Sequence, residues 1–355
     1  MATPLVTPLY EGTFSVGLDR KFNRIDRNDP PHRGALKLAI NPFLIKMDNH
    51  TILFDAGLGD FGEDTSTATL LENLAKQDVS EYDITDIFAS HLHYDHLGGL
   101  VSSSDGYFSL TFPDARFWVN KNEWQNLIQS DEGDDETKLE FIHFLNAKAD
   151  LHFLEPEDEP LPGIRVREVG GHTEHSQVLF LEQGDHNYMM AGDVIGTKGA
   201  VKRRYAAKYD LHPQKSMEVR EELKELAYRE KYTILAYHES QTPIFRLSEA
   251  GSAAGVYRTE SVFSFSDAES PWLLLSDEPT FAGSELAELR ESPARPANTR
   301  SECSTDWTDN PSPYLVRSNR AAGAPPVSLF HTENSHLLLR LFFRHSGTLH
   351  PDKVV

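Results

Sequence analysis

The stretch that decides the fold is SHLHYDHLGG at residues 90–99, which carries three histidines and an aspartate within positions 91–96. The preceding stretch ITDIFAS (84–90) is predicted to be a buried strand. If the chain stays extended beyond it, His91 and His93 project to the same side, roughly 6.5–7 Å apart. That spacing lets two imidazoles converge on one metal ion. Asp95 and His96 follow where the chain turns, so they can face a second ion nearby.

More candidate ligands follow or end other apolar stretches of the chain: His172, Asp193, His238 and Asp55. Open α/β sheets gather their ligand-binding groups at the carboxyl ends of their strands. We therefore expect these side chains to meet the 91–96 segment in one site. Each residue alone is a weak signal, because a polar residue that ends a strand is usually only part of a turn.

Strand-like and helix-like stretches alternate between about residues 10 and 258. Hydrophobic patterning predicts strands over 36–47, 51–57, 84–90, 115–120, 164–170, 177–182, 187–193 and 232–238. Helical spacing is predicted over 65–77, around Trp124 and over 213–231. This interleaving, with several hairpins, favours an α/β fold of sheets covered by helices over an all-parallel doubly wound sheet.

The composition excludes several classes of function. The chain holds 34 Lys+Arg against 55 Asp+Glu, a formal net charge of −21, which disfavours nucleic acid as a partner. Cys303 is the only cysteine, so no intramolecular disulfide and no thiolate metal site can form. The first residues lack the pattern of a secretory signal, and no apolar run reaches the ~20 residues that a bilayer requires. We expect a cytoplasmic protein with no membrane partner.

The amino-acid composition of the sequence changes after about residue 260. Residues 291–326 are rich in Pro, Ser, Asn and Arg and show no periodicity. Such a segment buries too little apolar surface to offset its chain entropy. We therefore predict two parts: a globular domain over 1–260, and a low-complexity, largely disordered extension over 261–355, with one short helix near 336–344.

The motif H-x-H-x-D-H at 91–96, together with Asp55 and the later His172, Asp193 and His238, resembles the five motifs of the metallo-β-lactamase superfamily. The resemblance covers about residues 10–258. It implies an αββα sandwich with a dinuclear metal centre between the sheets.

The resemblance also implies a role for each residue of the motifs. The first metal ion would be held by His91, His93 and His172, and the second by Asp95, His96 and His238. Asp193 would bridge the two ions, and Asp55 would orient a ligand histidine.

Metal chemistry then implies the reaction. A hydroxide that bridges two cations forms near neutral pH and attacks a carbonyl or phosphoryl centre, with Asp95 and Asp193 as the catalytic carboxylates. Because all ligands are nitrogen or oxygen, zinc is the default for both divalent ions, although manganese, iron or cobalt also suit such a site.

Within the superfamily, several stretches resemble the N-acyl homoserine lactone lactonases, the quorum-quenching branch. They include KLAINPFLIKMDNHTILFDAGLGDF (37–61) and KYDLHPQKSMEVREELKEL (208–226). This implies a small-molecule lactone or related ester as substrate. Some lactonases carry a tyrosine three residues after the bridging aspartate, where this chain has Gly196. Tyr205 or Tyr94 could contact the substrate instead.

Other functions remain open at this stage. The enzymatic alternatives are a glyoxalase-II-like thioesterase and an organophosphate or phosphodiester hydrolase. The non-enzymatic alternative is a metal-binding scaffold or a protein that sequesters a ligand. The sequence leaves the oligomeric state open, a dimer included.

Overall fold

Two large β-sheets pack against each other in a computed structural model that describes residues 3–62, 64–129, 136–249 and 257–265. The first sheet has six strands, in the order β1 (Leu5–Pro8), β5 (Phe43–Met47), β6 (His50–Phe54), β7 (Asp86–Phe88), β10 (Arg116–Asn120) and β11 (Asp150–Leu154). Strands β6, β7, β10 and β11 run parallel to one another, whereas β5 pairs antiparallel with both β1 and β6.

The second sheet has seven strands in chain order: β12 (Glu157–Leu161), β13 (Ile164–Glu168), β14 (Gln177–Gln183), β15 (His186–Met190), β16 (Thr233–Leu235), β17 (Ile244–Glu249) and β18 (Tyr257–Phe263). Its one parallel pair is β15 with β16, and the helices between these strands make the crossover. A three-stranded sheet contains β3 (Phe22–Ile25), β2 (Gly12–Val16) and β4 (Leu36–Ile40), and a hairpin contains β8 (Val101–Ser104) and β9 (Tyr107–Leu110).

Helices cover the outer face of each large sheet. Helices α1 (Thr67–Ala75), α3 (Lys121–Gln129) and α4 (Glu136–Lys148) lie on the first sheet, and α5 (Lys198–Lys202) and α6 (Pro213–Arg229) lie on the second. A short helix, α2 (Tyr94–Leu97), follows the first sheet's β7. Single 3-10 turns span Gly59–Phe61, Glu81–Asp83, Gly98–Leu100 and Gly192–Ile195. This confirms the predicted four-layer αββα architecture.

The alternation of side chains along β14 explains why the layers stack. Leu179 and Leu181 point into the core between the two sheets, whereas Val178 and Phe180 pack beneath α5 and α6. A strand that is apolar on both faces must be covered on both sides. Helix α6 meets this need with a buried face that includes Ser216, Arg220, Leu223 and Ala227, at the spacing of a helix.

The stretch 36–47 was expected to form one strand, and this is wrong. It forms β4 and β5, which belong to different sheets. Pro42 separates them, because it has no N–H to donate to a ladder. The neighbouring Asn41 is buried, and its side-chain amide donates to the carbonyls of Tyr237 (2.7 Å) and Glu239 (3.0 Å). These two bonds tie the break between the sheets to the segment that carries His238.

The predicted C-terminal extension lies outside the described residues, apart from 261–265, and so does the predicted helix near 336–344. Strand β18 completes the second sheet and ends at Phe263. The helices of the described residues are all too short or too polar to span a bilayer.

Candidate metal centre

The histidine motif lies where the chain leaves β7, and its local structure differs from the expected extended chain. Strand β7 ends at Phe88, residues 89–93 form an irregular loop, and α2 carries Asp95 and His96. His91 and His93 therefore present different atoms to the same point. The Nε2 atom of His91 lies 3.0 Å from the Nδ1 atom of His93.

Four side chains form a first cluster around this point: His91, His93, His172 and Asp193. The Nε2 atom of His172 lies 3.1 Å from His93 Nδ1 and 3.1 Å from Asp193 Oδ2. Ligand atoms arranged tetrahedrally around zinc, with bonds of about 2.1 Å, lie about 3.4 Å apart. The cluster is therefore close to the size that one such ion requires.

A second cluster contains Asp95, His96 and His238. The Oδ2 atom of Asp95 lies 3.5 Å from His238 Nε2 and 3.7 Å from His96 Nε2. Helix α2 supplies two of these side chains, and the segment after β16 supplies the third.

Asp193 connects the two clusters, because each of its oxygens faces a different one. Its Oδ2 atom faces His172, whereas its Oδ1 atom lies 2.8 Å from His238 Nε2 and 3.3 Å from His96 Nε2. The 3-10 turn Gly192–Ile195 places Asp193 there. The turn comes very close to the loop after β7: Gly192 has a φ of +48°, and a Cβ atom on it would lie 2.8 Å from Ser90 Oγ. Only glycine fits this position without strain.

Asp55 lies directly behind the second cluster. It is fully buried and has a φ of +58°, and its Oδ2 atom lies 2.6 Å from His96 Nδ1. Ser90 donates to the same carboxylate from its backbone N–H (2.6 Å) and from its hydroxyl (2.7 Å). A histidine whose Nδ1–H donates to a carboxylate keeps its Nε2 lone pair free for a metal ion. The position of Asp55 thus suits the orienting role that the resemblance implies.

Two further groups that hold the histidines were not predicted from the sequence. The Nδ1 atom of His172 lies 2.9 Å from Asp210 Oδ1, and that of His238 lies 2.8 Å from the carbonyl oxygen of Ala39. Asp210 falls in the non-periodic stretch between α5 and α6, where no pattern distinguishes it from a loop residue. A backbone carbonyl has no signal in the sequence at all.

Electrostatics separates the two clusters. Burial, reinforced by the neighbouring imidazoles, lowers the pKa of His91 well below its usual value and that of His93 to about 3. Both are therefore neutral at physiological pH, with lone pairs available as ligands. Burial alone would raise the pKa of Asp193, but His238 and His172 outweigh it and hold that pKa well below its usual value.

The second cluster attracts positive charge. Burial opposes protonation of His96, but the carboxylates of Asp55 and Asp95 outweigh it and raise the pKa of that histidine well above its usual value. The pKa of His238 is also raised, because Asp193 outweighs the effect of burial. A cation at this point would supply the charge that these carboxylates favour.

Three buried atoms in the centre lie within 3.3 Å of one another in two of their three pairs, yet none of them makes a hydrogen bond to a described residue: His96 Nε2, His238 Nε2 and Asp193 Oδ1. Buried polar groups are nearly always paired, and a bound metal ion is one of the few explanations for such exceptions. The three atoms converge on one point. The residues present therefore fit a divalent cation in the second cluster, as the imidazole nitrogens fit one in the first.

A cavity of about 840 Å³ opens over the centre, and its wall includes His93, Asp95, His172 and Asp193. Much of the remaining wall is apolar and includes Phe22, Leu38, Leu58, Phe61, Leu92 and Leu211. Charged side chains also line the cavity, among them Asp19, Arg20, Lys21, Glu123 and Lys138. A concave site that combines apolar surface with convergent polar groups is the usual form of a small-molecule site.

The two tyrosines suggested as substrate contacts lie in different places. Tyr94 lines the cavity, where its ring packs against Phe61 with centroids 4.6 Å apart. Tyr205 is not among the lining residues. It is 39% exposed, and the guanidinium of Arg220 lies 4.7 Å from its ring centroid. Tyr209 lines the cavity in its place, and its hydroxyl donates to the carbonyl of Gly17 at 2.5 Å.

Comparison with known proteins agrees with the fold. The model of the metallo-β-lactamase superfamily matches residues 36–238, which is more than half of the chain. The chain therefore belongs to this superfamily, and it is a hydrolase.

Solved structures with the same fold include three hydrolases. The hydrolase AbOPH, described as a member of the beta lactamase superfamily, has a TM-score of 0.60 and 22% identity over 74% of this chain and 96% of its own. AidC, a dizinc quorum-quenching lactonase, has a TM-score of 0.58 and 21% identity over 72% of this chain and 93% of its own. A probable metal-dependent hydrolase from Staphylococcus aureus has the same score and identity over 73% and 98%. A search of curated protein sequences found no significant match.

Proposed function

We propose that the protein is a dinuclear metal-dependent hydrolase that opens a lactone or a related ester, such as an N-acyl homoserine lactone. The observation that carries this proposal is the division of seven side chains into two clusters joined by the two oxygens of Asp193. His91, His93 and His172 would hold one divalent ion, and Asp95, His96 and His238 the other. Zinc suits these imidazole and carboxylate donors best.

Two divalent cations would supply acidified water and an electrophile that polarises the carbonyl of the substrate. The protein's own groups then orient the substrate and move protons. Asp95 reaches the cavity wall, so its carboxylate can accept a proton there and pass it to the leaving oxygen. Asp193 keeps the two halves of the site at a fixed separation through its contacts with His172 and His238. Tyr94 lines the cavity beside Asp95 and can position the substrate.

The cavity and the charge of the chain support a neutral acyl substrate. Apolar side chains such as Phe22, Leu38 and Phe61 provide a surface for an acyl chain. The net charge of −21 disfavours a polyanion. The likeness to AidC, whose structure contains the product N-hexanoyl-L-homoserine, supports the same choice of substrate. The single cysteine is in keeping with a cytoplasmic location, which we also propose.

The test is turnover by protein reconstituted with zinc, manganese or cobalt. The substrates are N-acyl homoserine lactones of increasing chain length, a matched series of thioesters, and aryl phosphates. Preferred turnover of the lactones, in proportion to bound metal, is the expected result. Turnover confined to thioesters or to aryl phosphates would replace the lactonase proposal with one of those activities. If the protein binds two metal ions but hydrolyses none of these substrates, the result would contradict a lactonase and favour a binding role.

A further inference from the structure

Arg220 is a buried cation with a position that packing alone does not explain. It lies on the inner face of α6 and is only 1% exposed. Burying a guanidinium is costly unless its N–H groups and its charge find partners. The partners of Arg220 therefore indicate what this residue does.

Three groups surround the guanidinium. Its Nε–H donates to the carbonyl of Val194 at 2.7 Å, and its Nη1 donates to the carbonyl of Tyr205 at 2.8 Å. Its Nη2 atom lies 3.9 Å from Asp210 Oδ2. The planar fork of arginine can hold several acceptors at fixed angles, which the single ammonium of lysine cannot do.

Each of these partners leads to a different part of the site. Val194 follows Asp193 in the 3-10 turn that places the bridging carboxylate. Asp210 accepts the hydrogen bond from Nδ1 of His172. The chain between Tyr205 and Asp210 continues into the cavity wall through Tyr209 and Leu211.

The same segment is attached to the histidine by its backbone. The N–H of Leu211 donates to the carbonyl of His172 at 2.9 Å, and the N–H of His212 donates to that of Gly171 at 2.8 Å. Movement of this wall would therefore move His172. The side chain of Arg220 contacts both this wall and the turn that carries Asp193.

We propose that Arg220 is a positioning residue that fixes His172 and Asp193 relative to each other and to the substrate-binding wall. It acts on His172 through Asp210 and on Asp193 through the carbonyl of Val194. This inference rests on the ligand roles proposed above. It predicts that metal affinity and substrate affinity depend on the same side chain, although that side chain touches neither metal nor substrate.

Lys224 provides a matched control one turn further along α6. It is also a buried cation, at 4% exposure, but its ammonium pairs with Glu221 of the same helix at 2.8 Å. Loss of either cation should affect the packing of α6. Only loss of Arg220 should affect the metal centre.

The experiment compares Arg220→Met with Lys224→Met in the full-length chain. Metal-free proteins are titrated with zinc in competition with a chromophoric chelator, and kcat and KM are then measured for the metal-loaded proteins. For Arg220→Met we expect the zinc affinity of the site that contains His172 to fall about 10- to 100-fold, and KM to increase. For Lys224→Met we expect both zinc affinities and KM to stay within about threefold of wild type.

Two milder variants keep the test decisive if Arg220→Met fails to fold. Asp210→Asn should weaken zinc binding at the site that contains His172. When Asp210→Asn is combined with Arg220→Lys, the loss of zinc affinity should be smaller than the sum of the losses in the two single variants. Arg220→Lys keeps the charge near Asp210 but cannot hold both carbonyls, so it should retain more zinc affinity while KM still rises. Unchanged zinc affinity and KM in these variants, or equal losses in Lys224→Met, would overturn the proposal. If wild type binds no zinc, the ligand assignment itself fails instead.

Discussion

Replacing Asp55 with asparagine should weaken one metal site and leave the other intact. The carboxylate accepts three short hydrogen bonds, two from Ser90 and one from His96 Nδ1 at 2.6 Å. Asparagine has nearly the same shape and tolerates the positive φ of this position, so the backbone is not strained. Its amide keeps one oxygen but places an NH₂ group where the second oxygen was.

The magnitude follows from the tautomer of His96. An NH₂ group opposite Nδ1 favours the imidazole that carries its proton on Nε2, the atom that points into the second cluster. Metal binding then requires the other tautomer, in which two buried donors face each other. Such a mismatch costs about 1–3 kcal/mol. Because about 1.4 kcal/mol corresponds to a factor of ten, the affinity of the site with Asp95, His96 and His238 should fall roughly 10- to 100-fold.

The assay is a zinc titration of the metal-free protein that resolves two binding steps, with urea unfolding as a measure of stability. Asp86→Asn is the matched control. Asp86 is also a buried aspartate of the first sheet, and it accepts from Trp118 Nε1 at 2.8 Å and contacts His50 Nδ1 at 3.0 Å. The Asp86→Asn substitution should lower the free energy of unfolding without changing either zinc affinity. Two wild-type affinities in Asp55→Asn, or an equal loss at both sites, would refute the reasoning.

Two other predictions test the centre and its surroundings. Asp193→Asn and His93→Ala should each reduce kcat by more than about 10³-fold and lower the amount of bound zinc. A scaffold protein would keep its function after either change. Metal content and kcat, measured on the same samples, distinguish the two outcomes. Glu11→Gln should stabilise the protein increasingly as pH rises. Glu11 is buried next to the N–H of Leu58, and burial raises its pKa from 4.5 to about 8. The folded state therefore holds a proton that the unfolded chain releases between these values, so wild type loses stability as pH rises from 4.5 to 8. The variant should gain roughly 3 kcal/mol relative to wild type at pH 7 and almost nothing at pH 4.5, and equal urea midpoints at both pH values would contradict this.

The strands and the helix that position the site could be predicted because the strands are short apolar runs and the helix shows helical spacing. The predicted strands 164–170, 177–182 and 187–193 correspond to β13, β14 and β15, and the predicted helix 213–231 corresponds to α6. Each of these stretches is buried by an apolar pattern that the sequence displays directly. The four-layer fold and the superfamily follow from that pattern and from the H-x-H-x-D-H motif.

The local geometry of the motif could not be predicted in the same way. Treating residues 89–93 as extended chain put His91 and His93 on one side, but the strand ends at Phe88. The loop instead lets one histidine present Nε2 and the other Nδ1. This loop is restricted by the turn that contains Gly192 and by the carboxylate of Asp55, and both belong to distant parts of the chain.

The supporting residues were missed for a related reason. Asp210 and Arg220 act through contacts between segments that have no common period. The suggestion of Tyr205 as a substrate contact illustrates the limit. Tyr205 follows the bridging aspartate in the chain and is suggested by the absence of a tyrosine at Gly196, but Tyr209, four residues later, is the one that lines the cavity. Which of two loop tyrosines faces inward depends on how the loop is tied down, here by backbone bonds from Leu211 and His212.

The two clusters share an organisation that bears on how the fold supports its chemistry. In each, some side chains come from the loop and helix α2 that follow β7 of the first sheet, and the others come from segments of the second sheet. The first cluster joins His91 and His93 to His172, and the second joins Asp95 and His96 to His238. An apolar core holds the two sheets together, so packing outside the site brings its two halves to the same edge. Ions held there would add cross-links between the sheets at this edge. The fold can therefore keep a strongly charged, ligand-accessible centre at this edge without relying on that centre for its own packing.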